Sequence, residues 1–129
     1  MTKKLIAPEQ GPKPVGPYSP GVVANGFLFV SGQIPLDPST GRLVTDSFEI
    51  QVRQTLENLK SVIEAAGSTL QDVVKVTIFL DDMENFGELN AIYAEYFDES
   101  KPARATMQVA RLPKDVAVEI EAIAVVNHP

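Results

Sequence analysis

The segment Pro102-Ala103-Arg104-Ala105-Thr106-Met107-Gln108-Val109-Ala110-Arg111-Leu112-Pro113-Lys114-Asp115-Val116-Ala117-Val118-Glu119-Ile120-Glu121-Ala122-Ile123-Ala124-Val125 decides the fold. Pro102 bars continuation of any helix that precedes it. Two strands follow, Arg104–Arg111 and Val116–Val125, separated by the turn-forming Leu112–Asp115. In the first strand Ala105, Met107 and Val109 share one face, and Arg104, Thr106, Gln108 and Ala110 the other. In the second, Val118, Ile120, Ala122 and Ala124 oppose Glu119, Glu121, Ile123 and Val125. The first set in each strand is small and apolar and is expected beneath helices. The second sets mix ionisable groups with Ile and Val. A dry core rejects an unpaired charge, and a fully solvated face has little use for Ile123 and Val125. A subunit interface with a polar cleft accommodates both kinds of residue. A half-exposed sheet with surface ion pairs, each worth about 0–1 kcal/mol, is the alternative. Pattern alone would join these two strands as a hairpin.

Upstream, Val73–Leu80 is β-branched and apolar on both faces, which predicts a strand near the middle of a covered sheet. Asn85–Phe97 places Phe86, Leu89, Tyr93 and Tyr96 or Phe97 on one stripe and predicts a helix. Ser47–Ala66 predicts a longer one, with Phe48, Val52, Leu56, Leu59, Val62 or Ile63 and Ala66 recurring every three or four residues. Asp46 is its expected N-cap, with Glu49 three residues on, and Gly67 suits the position after its end. Asn25-Gly26 between Gly21–Ala24 and Phe27–Ser31 is a strong hairpin signal. Pro8–Pro20, dense in Pro and Gly, is a loop that holds Tyr18. The order is hairpin, helix, strand, helix, strand, strand. Two helices cannot cover both faces of such a sheet, so a single two-layer α+β domain spanning 1–129 is expected, with both helices on one face.

The chain has 129 residues and a formal net charge of -6, enough length for a core without disulfides or metals. It has no Cys, which excludes thiolate chemistry, and one His, His128, expected to be an inert tail residue. The acidic balance opposes binding to nucleic acid. No apolar run approaches a membrane span and the first residues lack a signal-peptide core, so the cytoplasm is the expected location.

Gly16-Pro17-Tyr18, Ser31-Gly32-Gln33-Ile34-Pro35, the stretch from Asn85-Phe86 to Asn90, and above all Pro102-Ala103-Arg104 through Arg111-Leu112-Pro113-Lys114-Asp115 to Glu119-Ile120-Glu121 resemble the RidA/YjgF family, over nearly the whole chain. The resemblance implies a chorismate-mutase-like α+β fold with a mixed sheet. It places the last strand between earlier strands and antiparallel to them, rather than in a hairpin with its predecessor. It also implies a homotrimer with clefts between subunits. The implied activity is hydrolysis of reactive 2-imino or enamine acids, such as 2-iminobutanoate and 2-iminopropanoate, to 2-keto acids and ammonia, with no metal or organic cofactor. A non-catalytic module binding small carboxylates is the second reading, and the ribonuclease or translation-inhibitor label attached to the family the third.

On that resemblance Arg104 corresponds to the carboxylate-binding arginine, whose planar fork can grip a carboxylate through two hydrogen bonds. Glu119 corresponds to the acid that positions the attacking water. Tyr18, Ser31, Gly32, Phe86, Asn90 and Thr106 correspond to substrate-binding positions. The Ser31 hydroxyl and Gly32 N–H are expected to be available to the substrate carboxylate, and Thr106, where close relatives often have Cys, to contact the water through its backbone carbonyl. Each has a structural alternative: Arg104 and Glu119 as an interface salt bridge, Tyr18 as a loop anchor, Ser31 as a strand end, Phe86 as core. Glu121 is expected to be structural, and Gln108 to trim charge on its face.

Overall fold

Asn25 and Gly26 both take positive φ, 52° and 80°, as a two-residue hairpin turn of the primed class requires. They join strand β2, Gly21–Ala24, to β3, Phe27–Gln33. A computed structural model describes residues 2–14 and 16–126 of the chain. His128 lies outside the described residues. A short strand β1, Lys4–Ile6, pairs antiparallel with β2. Helix α1, Phe48–Ala65, starts at Ser47, whose hydroxyl accepts the Ile50 N–H at 3.1 Å. The cap is therefore Ser47 and not Asp46. Gly67, at φ 82°, closes the helix end as expected. Strand β4, Val73–Leu80, leads through helix α2, Phe86–Phe97, to β5, Ala103–Gln108, and the chain then reaches β6, Val118–Val125.

The sheet order is β1-β2-β3-β6-β4-β5. β4 and β5 are parallel, with α2 as the crossover, while β6 is antiparallel to both β3 and β4. The hairpin suggested by pattern alone does not form. The segment after β5 instead carries the chain across β4, and β6 then satisfies its backbone groups along both edges, where a terminal hairpin would leave one edge open.

α1 packs over β3 and β6 and against α2. Leu28, Val52, Leu56, Leu59, Ile63, Val76, Ile78, Leu89 and Ile120 form the buried core between the layers. Each such side chain contributes about 1.5–3 kcal/mol as an upper estimate. On the outer surface Arg53 ties the helices together, accepted by Glu95 at 2.9 and 2.8 Å and by Glu49 at 2.9 Å. Among the described residues no helix is long and apolar enough to cross a membrane.

Register then fixes which side chains share a face. In β6 the alternation is as expected, with Val118, Ile120, Ala122 and Ala124 buried under the helices. In β5 it is reversed. Arg104 pairs with Val76 and Thr106 with Ile78, both of which point into the core, so Arg104 and Thr106 lie on the helix side. Ala105 and Met107 lie on the open side, where Met107 is exposed. Small apolar residues suggested the opposite phase, but the parallel pairing to β4 sets it. β4 is covered on one face only; its Lys75, Thr77 and Phe79 share the open face with Glu119 and Glu121. That face also carries Leu5, Phe27, Phe29, Ile123 and Val125, and Phe27 and Phe29 are 43% and 45% exposed.

Candidate functional site

Between Val30 and Gln33 the register of β3 against β6 shifts, so Ser31 and Gly32 sit in a bulge beside Glu119. The Glu119 carboxylate lies against Gly32 so closely that a Cβ there would collide with it. This is why the position takes glycine. The two residues line a cavity of about 350 Å³ together with Tyr18, Ser31, Pro113 and Lys114. Glu119 is half-buried. Burial first, and the neighbouring Glu121 second, push its carboxyl above the ordinary value. No ion pair joins Glu119 to a cation among the described residues. Lys114, on the same cavity wall, does not reach it within ion-pair distance.

The walls of this cavity are held by groups that sequence reasoning left unmarked. Buried Asn58 of α1 donates to the carbonyls of Ile34 and Leu36 at 3.0 and 2.8 Å and accepts from Gln54 at 2.9 Å. Gln51, also on α1, accepts the Ala117 N–H at 2.9 Å, two residues before Glu119. Ser31 donates its hydroxyl to the Ser19 carbonyl at 2.6 Å, and the Ser31 N–H goes to Pro20 at 2.8 Å. The Ser31 proton is thus committed to anchoring the Tyr18 loop and is not free for a ligand, contrary to expectation. Lys114 and Asp115 both adopt left-handed backbone, φ 57° and 59°, an unusual pair for non-glycine residues. Arg111 braces this turn by gripping Asp115 at 2.6 and 3.1 Å.

Arg104 belongs to a second cluster, between α2 and the edge strand β5. Its guanidinium carbon lies 4.8 Å from the Tyr93 ring centre and 5.6 Å from that of Phe86. Asn90 lies between those two rings on the same helical stripe. Arg104 has no carboxylate partner and no hydrogen bond among the described residues. The side-chain oxygens of Asn90, Tyr93 and Thr106 are buried without partners. Since the Thr106 hydroxyl is turned inward, only its backbone, on an edge strand, can face a ligand. Gln108 accepts the Met83 N–H at 2.8 Å and so holds the turn before α2 rather than merely trimming charge.

The structure therefore brings Tyr18, Ser31, Gly32 and Glu119 together, and separately Phe86, Asn90, Arg104 and Thr106. It does not bring the two groups together within one chain, because Arg104 is on the helix side of the sheet and Glu119 on the open side. The expectation of one shared charged face fails for the same reason as the β5 phase. Each group is an incomplete site. One holds an acid beside a cavity whose lining lysine, Lys114, makes no ion pair with it; the other holds a cation with no ion-pair partner among the described residues.

The chain is similar to known proteins over nearly its whole length. The family model described as endoribonuclease L-PSP matches residues 8–126. A RutC family protein of Pyrococcus horikoshii is 57% identical over 122 residues, covering 95% of this chain and 97% of that one. The 2-iminobutanoate/2-iminopropanoate deaminase of Salmonella typhimurium is 49% identical, covering 95% and 97%. Among solved structures, TdcF of Escherichia coli with bound serine superposes with a TM-score of 0.90 at 44% identity, covering 96% of this chain and 99% of that one.

The contact between Gly32 and Glu119 yields a test. Gly32→Ala must displace the Glu119 carboxylate toward water while leaving the core untouched. Since burial is what raises the Glu119 pKa, the carboxyl should titrate lower in the variant, nearer the ordinary glutamate value, with little change in melting temperature. Carboxyl-labelled NMR titration measures this; an unmoved Glu119 titration would contradict the packing described.

Proposed function

The chain belongs to the RidA/YjgF family, and we propose that it hydrolyses reactive 2-imino acids and their enamine tautomers to 2-keto acids and ammonia, in sites completed between copies of itself. The observation that carries this reading is the pair of charges, Arg104 and Glu119, that form no ion pair among the described residues and are held on opposite faces of the same sheet. A second copy that presents its Arg104 edge to the Glu119 cavity supplies what each lacks. The apolar open face around Phe27, Phe29, Ile123 and Val125 supports such an assembly, since monomers rarely leave large apolar side chains clustered in water. The family resemblance implies that this assembly is a homotrimer, with one cleft at each contact.

In this reading the Arg104 fork takes the substrate carboxylate through two parallel charged hydrogen bonds. That fixes the imine carbon over the cavity beside Gly32. Glu119 holds a water and accepts its proton as the oxygen bonds to the carbon of the protonated imine. The product of that step is a tetrahedral aminoalcohol. Return of the proton to nitrogen makes that group able to leave, and the C–N bond breaks as the hydroxyl proton passes to the departing ammonia, leaving the keto acid and ammonium. Water is consumed once and Glu119 is regenerated. An enamine reaches the same path after its carbon is protonated to give the imine. The named activity of the Salmonella relative and the bound serine in the E. coli one, itself an amino acid with a carboxylate, both support this substrate class. The net charge of -6 gives no support to a ribonuclease.

The reading predicts different losses at its two charges. Arg104→Lys keeps the charge but loses the fork, so binding of 2-ketobutyrate should fall about tenfold or more, at 1.5–3 kcal/mol per charged hydrogen bond. Calorimetry measures it, and wild-type affinity in the variant would place the carboxylate elsewhere.

Glu119→Gln should still bind 2-ketobutyrate while its hydrolysis of imine, generated by threonine dehydratase and followed as keto-acid release, falls about 10²–10⁴-fold. Retained turnover would remove Glu119 from the reaction. Retained binding with lost turnover would also set aside a purely carboxylate-binding role.

A further inference from the structure

We infer that Tyr93 is the positioning residue of the carboxylate fork, its ring face setting the plane of the Arg104 guanidinium before any ligand arrives. This rests on the reading of Arg104 as the carboxylate-binding residue. An arginine side chain has many rotamers, and a fork is useful only if few of them survive. Such residues are usually fixed by hydrogen bonds to a neighbouring carboxylate or carbonyl. Arg104 has none among the described residues. What it has instead is two aromatic rings, Tyr93 at 4.8 Å and Phe86 at 5.6 Å from the guanidinium carbon.

The two rings are not equivalent. Phe86 is 36% exposed and sits in the first turn of its helix, whereas Tyr93 is 9% exposed and packs against Phe97 with ring centres 4.7 Å apart. Only Tyr93 is locked by the core, so only Tyr93 can transmit the rigidity of the core to the arginine. A guanidinium over a ring face can stack on it through its flat side. Its N–H groups all lie in the guanidinium plane and point outward, so stacking leaves the fork's donors free for a carboxylate in that plane. A salt bridge in the same place would have occupied them.

The hydroxyl of Tyr93 plays no part in this. Its oxygen is inaccessible and has no hydrogen-bond partner, so it cannot touch a ligand in this arrangement. Burial pushes the phenol up to about 12, which keeps it neutral and keeps the contact a ring–cation one rather than an ion pair. The ring is therefore the working part, and Phe should replace Tyr.

The test uses Tyr93→Phe and the same replacement with one, two or three fluorines on the ring. Fluorine withdraws the negative potential of the ring face with little change of shape, so folding is preserved. Tyr93→Phe should bind 2-ketobutyrate like the wild type and melt no lower, since an unsatisfied hydroxyl is removed. Successive fluorination should weaken keto-acid binding stepwise, to about tenfold overall if the ring–cation contact is worth its usual share. KM for the imine should rise in parallel while kcat holds. If every fluorinated variant binds like Tyr93→Phe while Arg104→Lys loses binding, Tyr93 is only core and the inference fails with the reading of Arg104 intact. If Arg104→Lys also binds normally, the reading of Arg104 itself fails.

Discussion

β6 is hydrogen-bonded along both edges, to β3 on one side and β4 on the other, and the rest of the molecule is arranged around that strand. Its inner alternation, Val118, Ile120, Ala122 and Ala124, is the floor on which α1 packs. Its outer alternation begins with Glu119. A side chain on a central strand cannot move sideways, so the acid is fixed relative to its neighbours on β3 as rigidly as the core itself. The bulge at Ser31-Gly32 and the polar side chains of α1, Asn58 and Gln51, then shape the space around it. The same helix that buries the apolar face thereby holds the cavity walls on the far side of the sheet.

The second constraint is the parallel register of β4 and β5. It sends Arg104 to the helix side, where its guanidinium lies over the Tyr93 and Phe86 rings, and so separates it from Glu119 by the thickness of the sheet. Among the described residues neither charge has an ion-pair partner. Burial of an unpaired charge is costly, and the raised pKa of Glu119 records that cost. Chains that keep such charges in place serve something that arrives later. In the function proposed here the arrival is both a second copy and a carboxylate substrate.

Local signals in the sequence were strong where local physics decides. Asn25-Gly26 marked the first hairpin because few other pairs accept two positive φ values. The three-and-four spacing from Phe48 to Ala66 marked α1 because an apolar stripe must be covered. What was not legible depends on partners distant in the chain. Nothing in Val116–Val125 by itself chooses between a hairpin with β5 and a slot between β3 and β4; the family resemblance supplied that. The phase of β5 was misread because Ala105 and Met107 look more like core than Arg104 does, and no local rule reveals that two aromatic rings will cover an arginine. β1 went unmarked, being short and half polar. Tyr93 was hidden in an apolar stripe, where its ring looked like core, as in part it is. Asn58 and Gln51 carry no local signal in the sequence, although they hold the walls of the site.

Mixing two impaired variants, at substrate concentrations well below the KM of Arg104→Lys, tests most directly the claim that the site is divided between copies. Arg104→Lys and Glu119→Gln, each purified alone, are dissociated together and reassembled in equal amounts, and imine hydrolysis is followed. If each cleft takes its arginine from one copy and its acid from the next, about a quarter of the clefts in a randomly mixed trimer recover both native residues. Activity should then rise from the parental background to roughly that fraction of the wild-type rate. A mixture no more active than its parents, from subunits shown to have exchanged, would contradict the account.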